Sequence, residues 1–388
     1  MSQFDLPVAG ARLCIDLDAV CDNWRLLRAR VGGANCAAVV KADAYGLGAE
    51  RVAPALQAAG CRHFFVAHLG EGLRLREVLG GGAQIFVLHG VHPGAEAECA
   101  GGHLTPVLNS LAQVAAWQGT AARAGRALPA VLQVDTGMAR LGMEADEWAL
   151  LAATPGRLAG INVRFMMSHL VSAEDPADPT SGRQLARFQT LRERMPGLGA
   201  SLANSSGIFL GPDYHFDLVR PGAALYGLAP VRGQANPMRP VIRLQGQVLQ
   251  IRSIAAGTPV GYSHTWVATR ESRIATVAVG YADGYLRSLG NRGRVSFEGQ
   301  QLPVVGTVSM DTITVDATEV PRERLGEGSL IDLADPENDA DAIADRASTI
   351  GYEILTGLGR RYARCYLGGG EGPRGTEAIG KRAALLVR

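Results

Sequence analysis

Lys41 ends an apolar run and opens the segment VVKADAYGLG at 39–48. Residues 37–40 read as a buried strand, and the Gly-containing turn beyond them reads as the start of a helix. A lysine in that place sits at the carboxyl end of a strand. Burying an ammonium is costly, so its pKa falls and the amine becomes a usable nucleophile or base. The plain alternative is a lysine whose stem snorkels from the strand end to water, and this segment by itself leaves both readings open. Further side chains able to bind anions or move protons lie downstream: Arg140 in VDTGMARLG at 134–142, His169 directly after Ser168, Asn204 and Ser205 in ANSSG at 203–207, and Arg220 in VRPG at 219–222. Beyond them come Tyr281 in VGYADG at 279–284, Met310 and Asp311 in SMD at 309–311, and Tyr352 in GYE at 351–353.

The elements that must position these residues show in the hydrophobic pattern. Short β-type runs at 37–40, 63–67, 84–88, 104–107, 130–135, 161–168, 201–204 and 217–220 alternate with amphipathic stretches of helical spacing. This alternation predicts an α/β fold, an N-terminal (β/α)8 TIM-type barrel over 12–236, which places its chemistry at the carboxyl ends of its strands. Lys41, Arg140, His169, Asn204 and Arg220 all fall at or just past such ends. After Pro240 the chain alternates apolar and polar residues between Gly-rich turns, which predicts a C-terminal, mainly antiparallel β domain over 237–388 together with 1–11. A strand at 12–17 has the option of pairing with that domain. Residues 232–240, with Gly233, Pro237 and Pro240, read as the linker; a short helix is expected at 339–348 and a closing strand near Arg364.

At 388 residues the chain exceeds the usual single-core size, so two domains are expected. With 47% hydrophobic and 19% charged residues, a net charge of +1 and no block of like charge, the balance points to a globular protein with a small-molecule partner. It argues against nucleic-acid and membrane binding. The six cysteines show no C-x-x-C spacing and read as free thiols in a reducing compartment. No export signal or anchor is read at 1–17, so the cytoplasm is the expected location, and no metal ligand set is expected.

Taken together and in this order, the motifs resemble the alanine racemases, pyridoxal-phosphate enzymes built from a barrel and a β domain, from about Cys14 to Cys365. The resemblance implies interconversion of L- and D-alanine with pyridoxal 5'-phosphate joined to Lys41 as an imine, since the cofactor works by exchanging amines and accepting electrons from the substrate Cα. Tyr45, Asn204, Ser205, the amides of Gly222 and Ala223, and Tyr352 match the family's cofactor-binding positions, chiefly those for the phosphate. Arg220 matches the arginine facing the pyridine nitrogen. Because guanidinium only donates, that nitrogen stays unprotonated and the ring is a weaker electron sink. A short-lived carbanion suits racemisation.

Racemisation needs a proton donor or acceptor on each face of a planar intermediate. The resemblance implies Lys41 on one face and Tyr281 on the other, with His169 bridging Tyr281 and Arg220 and easing removal of the phenol proton. It further implies a homodimer in which Tyr281, Met310 and Asp311 complete the neighbouring subunit's site. The resemblance also implies that Arg140 meets the cofactor phenolate or the substrate carboxylate, that the Met310 amide meets the substrate carboxylate, and that Asp311 supports the loop. The expected role is supply of D-alanine for peptidoglycan precursors or its breakdown.

Two departures from the family pattern stand out. Many members carry a carbamylated lysine where this chain has Gln133, so Arg140 must be oriented by neutral hydrogen bonds or by an anion such as chloride. Ser309 stands where some relatives have a cysteine and Ala223 where some have a larger aliphatic residue, which loosens the pocket toward serine and other small amino acids. With Gln133 this keeps a broad-specificity racemase of serine or basic amino acids as the alternative. A non-catalytic cofactor carrier lacks a second domain carrying Tyr281, and decarboxylases of this architecture pair the ring nitrogen with a carboxylate rather than an arginine.

Overall fold

Seven parallel strands lie side by side in chain order in the computed structural model, which describes residues 6–369. They are Ala38–Val39, His63–Val66, Gln84–Val87, Thr105–Leu108, Leu128–Gln133, Ile161–Met167 and Gly199–Ser201. An eighth, Leu218–Val219, pairs in parallel with Asn35–Cys36 at the start of the first. Asp217 N donates to Ala200 O at 3.0 Å and Arg220 N to Ala203 O at 2.9 Å, so the eighth strand also meets the seventh and the curl closes on itself. The expected eight-stranded barrel is present, with boundaries displaced by a few residues. Its first strand is split around Ala37: the earlier half pairs with the last strand and the later half with the second. Strands covered on both faces carry continuous apolar runs, and Phe64, Phe65, Val66, Ile85, Phe86 and Val87 are all buried.

The surrounding helices start where their caps dictate. Asp16 accepts the Ala19 amide at 2.9 Å to open Leu17–Arg30, and Ser110 accepts the Gln113 amide at 3.3 Å to open Leu111–Ala124, which ends at left-handed Gly125. Trp24 on the first of these helices donates its indole N–H to Cys36 O at 3.2 Å, tying the helix to the strand that leads to Lys41.

The second sheet has eight strands around the 13-residue Ile242–Ile254. That strand pairs antiparallel with Ala11–Asp16, Leu330–Ala334 and Ser272–Val277. Gly246 permits the crowding: a Cβ there would stand 2.9 Å from Leu333 Cδ1. The sheet is antiparallel except where Ala363–Leu367 lies parallel to Ala11–Asp16. That pairing overturns the expectation of six free thiols, because it sets Cys14 opposite Cys365 with Cα atoms 4.6 Å apart and the two are joined as a disulfide. The partners are 351 residues apart in sequence, a proximity that no local spacing rule detects. Cys21, Cys36, Cys61 and Cys99 are free and buried, and burial pushes their thiols up, Cys21 to about 11 and Cys99 to about 12. The expected helix is Ala340–Ala347, capped by Asp339; a second helix, Gly351–Gly357, comes after it and carries Tyr352. No helix among the described residues is long and apolar enough to cross a membrane.

Candidate active site

Lys41 is one of two lysines in the sequence, the other being Lys381. It stands half-buried after Val40 at the mouth of the barrel, and the four residues beyond it do not begin an ordinary helix. Ala42, Asp43, Ala44 and Tyr45 have φ of 53°, 55°, 53° and 56°, a left-handed turn made without glycine. Each such residue costs about 1–2 kcal/mol, so the turn persists only because surrounding groups hold it. Asp43 accepts the Ala49 amide at 2.8 Å, Arg364 donates to Gly46 O at 2.7 Å, and the Tyr366 hydroxyl donates to Leu47 O at 3.0 Å. Glu71 accepts the Ala42 amide at 2.7 Å. Only at Gly48 does Ala49–Ala58 begin. Burial, with the charge of Arg140 adding to it and that of Glu71 opposing it, lowers the Lys41 pKa from the usual lysine value.

Arg220, 4% exposed, lies at the end of the eighth strand. It donates to Ser168 O at 2.6 Å and Leu202 O at 3.3 Å, donates to the Ser201 hydroxyl, and reaches His169 Nδ1 at 3.4 Å. Desolvation depresses its pKa to about 9, which still leaves it cationic at neutral pH. The same burial, together with Arg220 and Arg140, pushes His169 down to about 3, so its imidazole is neutral. Gln184 supports this corner by donating to His169 O at 2.9 Å and to the Thr136 hydroxyl at 3.2 Å.

Ser205, Gly222, Ala223 and Tyr45 come together on the neighbouring side. The buried Ser205 hydroxyl accepts the Gly222 amide at 2.9 Å and the Ala224 amide at 3.2 Å. A Cβ on Gly222 would press into the Tyr45 hydroxyl, so glycine here lets that phenol close onto the backbone beside Ser205. The Tyr45 ring packs against Tyr226 at 4.6 Å and Tyr352 at 6.0 Å between centroids. Burial raises the Tyr45 phenol well above its usual value and that of Tyr352 to about 12, so both remain donors. Asn204 accepts the Gly207 amide at 2.9 Å and thereby starts the short turn Gly207–Phe209.

Arg140 is exposed on a loop that Asp135 builds by accepting the amides of Gly137, Met138 and Ala139 at 2.8, 2.8 and 3.0 Å. Gln133 donates to Leu141 O at 3.1 Å, one residue beyond the arginine. The neutral amide thus holds the backbone of the loop rather than the guanidinium. Across the second sheet, Tyr281 N donates to Ser309 O and Ala282 N to Met310 O, both at 3.0 Å, so the Tyr281 turn and the Met310 loop move as one piece. Arg361 locks them: it forks onto buried Asp283 at 2.6 and 2.8 Å and reaches Asp311 at 2.7 Å. Tyr281 and Met310 project outward, 42% and 53% exposed, and do not approach the Lys41 cluster of their own chain through any hydrogen bond.

The single chain therefore gathers Lys41, Tyr45, Arg140, His169, Asn204, Ser205, Arg220, Gly222, Ala223 and Tyr352 at the barrel mouth, while Tyr281, Met310 and Asp311 stand on a separate surface. Sequence reasoning missed Glu71, Ser201, Asp283 and Arg361. Their signal is faint: Glu71 lies three residues after His68 in capping-box spacing, and Arg361 carries no local pattern.

Residues 15–230 match the sequence profile of the alanine racemase N-terminal domain, and residues 241–366 that of the alanine racemase C-terminal domain. The alanine racemase of Rhodospirillum rubrum is 53% identical over 365 residues, covering 94% of this chain and 98% of the relative. A catabolic alanine racemase of Mesorhizobium japonicum is 50% identical over 361 residues, covering 93% and 94%. Among solved structures, alanine racemase from Bartonella henselae with covalently bound pyridoxal phosphate superposes with a TM-score of 0.89 at 42% identity, over 92% of this chain and 99% of that one.

Proposed function

The chain belongs to the alanine racemase family, and on that premise we propose that it interconverts L- and D-alanine, with pyridoxal 5'-phosphate on Lys41 and Tyr281 supplied by a second copy. The observation that carries the reading is a half-buried strand-end amine at the same barrel mouth as a buried Arg220 that reaches His169 Nδ1 at 3.4 Å.

The residues present fit the cofactor. Beside Gly222, the Ser205 hydroxyl, which accepts the Gly222 and Ala224 amides and keeps its own proton to give, and the two protonated phenols of Tyr45 and Tyr352 offer neutral donors suited to a phosphate. When bound, pyridoxal phosphate supplies an aldehyde that takes up amines and a ring that withdraws electrons from the substrate Cα. Arg220 keeps its protons at neutral pH and only donates, which keeps any nitrogen it faces unprotonated. Its Nη2 lies toward His169 Nδ1, so the neutral imidazole accepts there and carries its proton on Nε2. That N–H is free to stabilise a phenolate oxygen opposite Lys41. Lys41 Nζ and Tyr281 Oη then take and return the Cα proton from opposite sides.

A second copy is supported by the exposure of Tyr281, Met310 and Tyr262 on hydrogen-bonded neighbouring loops, an apolar surface of the kind that partners cover. The cytoplasm stays the expected location, and the Cys14–Cys365 bond is the observation that weighs against a reducing compartment.

Borohydride treatment of enzyme incubated with cofactor is expected to fix the cofactor on the Lys41 peptide and to fix none there in Lys41→Ala. In deuterated water, Tyr281→Phe is expected to lose Cα exchange from one enantiomer only. Mixing inactive Lys41→Ala and Tyr281→Ala subunits tests the shared site, since random hybrids restore roughly a quarter of the wild-type sites. Absence of any restored activity after subunit exchange refutes the shared arrangement. Comparable turnover of serine, lysine and arginine would favour the broad-specificity alternative.

A further inference from the structure

We propose that Glu71 is a positioning residue for Lys41, its carboxylate clamping the left-handed turn that carries the amine. The inference rests on the reading of Lys41 as the cofactor-bearing residue. Glu71 is the third residue of the helix Leu69–Leu79, where a glutamate ordinarily closes a capping box by accepting the amide of the N-cap residue. One oxygen meets that need: Oε2 accepts the His68 amide at 3.0 Å and the Ala67 amide at 2.7 Å. The other oxygen is turned 29 residues away in sequence, to the Ala42 amide at 2.7 Å. Ala42 is bonded directly to Lys41 through that peptide.

The placement matters because the turn is strained at that end. Ala42 to Tyr45 all hold positive φ, and none is glycine. Asp43, Arg364 and Tyr366 secure the far side at Ala49, Gly46 and Leu47, whereas the amide next to Lys41 is held by Glu71. A charged acceptor makes a shorter and stronger bond than a neutral one, and 2.7 Å falls in the charge-assisted range. The carboxylate also sits near enough to favour the Lys41 ammonium against the opposing effects of burial and Arg140, and the amine's own charge bears in turn on His89 and His169. A carboxylate that only capped its own helix would have no reason to bond across to the adjacent strand end.

The test uses the full chain with Glu71→Gln and Glu71→Asp. Gln keeps one acceptor oxygen but loses the charge and the second oxygen; Asp keeps the charge and a helix-capping group but is one methylene too short to span both. Amide exchange followed on the 40–46 segment is expected to quicken about tenfold or more in both variants, while the 72–79 helix stays within about twofold of wild type. In cofactor-free enzyme, the pH midpoint for trinitrophenylation of Lys41, read on its own peptide, is expected to move down in Glu71→Gln and to remain near wild type in Glu71→Asp. At a pH above both midpoints, where the amine is free in either protein, the rate of capture of pyridoxal phosphate on Lys41 is expected to fall about tenfold in Glu71→Gln because the turn no longer aims it. Faster exchange confined to the 69–79 helix, with the Lys41 midpoint and capture rate unchanged, would make Glu71 a helix cap and overturn the proposal. Failure of the wild-type chain to capture the cofactor on Lys41 defeats the functional reading instead, and the exchange measurement still judges the clamp.

Discussion

Gly222→Ala puts the cofactor cradle to a quantitative test. The added methyl would press into the Tyr45 hydroxyl and stand 3.1 Å from Tyr45 Cζ and 3.3 Å from Val39 Cβ, inside the separation of about 3.5–4.0 Å at which carbon atoms attract. Tyr45 cannot swing away freely. Its ring is 6% exposed and packed on Tyr226, whose own hydroxyl is committed to Val39 O at 3.0 Å. Overpacking of this kind costs about 1–3 kcal/mol. Because Tyr45 belongs to the proposed phosphate cradle and the Gly222 amide holds its Ser205 hydroxyl, the strain falls on binding, and cofactor affinity is expected to weaken roughly five- to a hundredfold. Equilibrium titration with pyridoxal phosphate, followed by absorbance, measures this directly. Combining Gly222→Ala with Tyr45→Phe removes the clashing hydroxyl together with a proposed phosphate donor, so the double variant is expected to lose less affinity than the two single losses summed. Affinity within about twofold of wild type in Gly222→Ala, with an unchanged melting curve, would refute the cradle.

Arg361→Met strands the Asp283 carboxylate, 6% exposed, which then keeps only the Gly280 amide at 3.0 Å. Since Arg361 is itself about half exposed, the expected loss is about 1–3 kcal/mol of stability by chemical denaturation, with kcat falling more than KM changes as the Tyr281 turn loosens. His169 is expected to show no imidazole titration by NMR between pH 7 and 4, because burial and Arg220, with Arg140 and Lys41 adding, hold it near 3. The unfolded chain binds a proton there below 6.5 that the folded one refuses, so stability falls as pH drops from 6.5 toward 3, and His169→Gln flattens that fall. Cys14→Ser is expected to lower stability by about 2–5 kcal/mol, with an unchanged denaturation midpoint counting against the bond. Intact mass and peptide mapping are expected to show no carbon dioxide increment at Gln133, and Gln133→Ala, which frees Leu141 O, to raise KM for alanine by disordering the Arg140 loop.

The alternation of strands and helices is readable because each barrel strand is apolar throughout while each helix is apolar on one side, and the two periods differ. Strand ends are less legible, since at Asn35–Cys36 and Leu218–Val219 only two residues pair and pairing is decided by the partner strand. The helix carrying Tyr352 escapes a periodicity reading because Gly351 and Gly357 bound it on both sides, a pattern that reads as loop.

Residue chemistry belongs to the sequence: which amine, guanidinium, imidazole and phenol exist, and that Gln133 has no amine to carbamylate. So do the barrel and the β domain, since periodicity is a property of neighbouring residues. Tertiary structure alone decided that Ala42 to Tyr45 turn left-handed, because a strained backbone is held by Glu71, Arg364 and Tyr366 from distant segments. It alone joined Cys14 to Cys365, ordered Arg361 onto Asp283 and Asp311, and depressed His169, because burial and charge act through space and the chain must close before those groups meet.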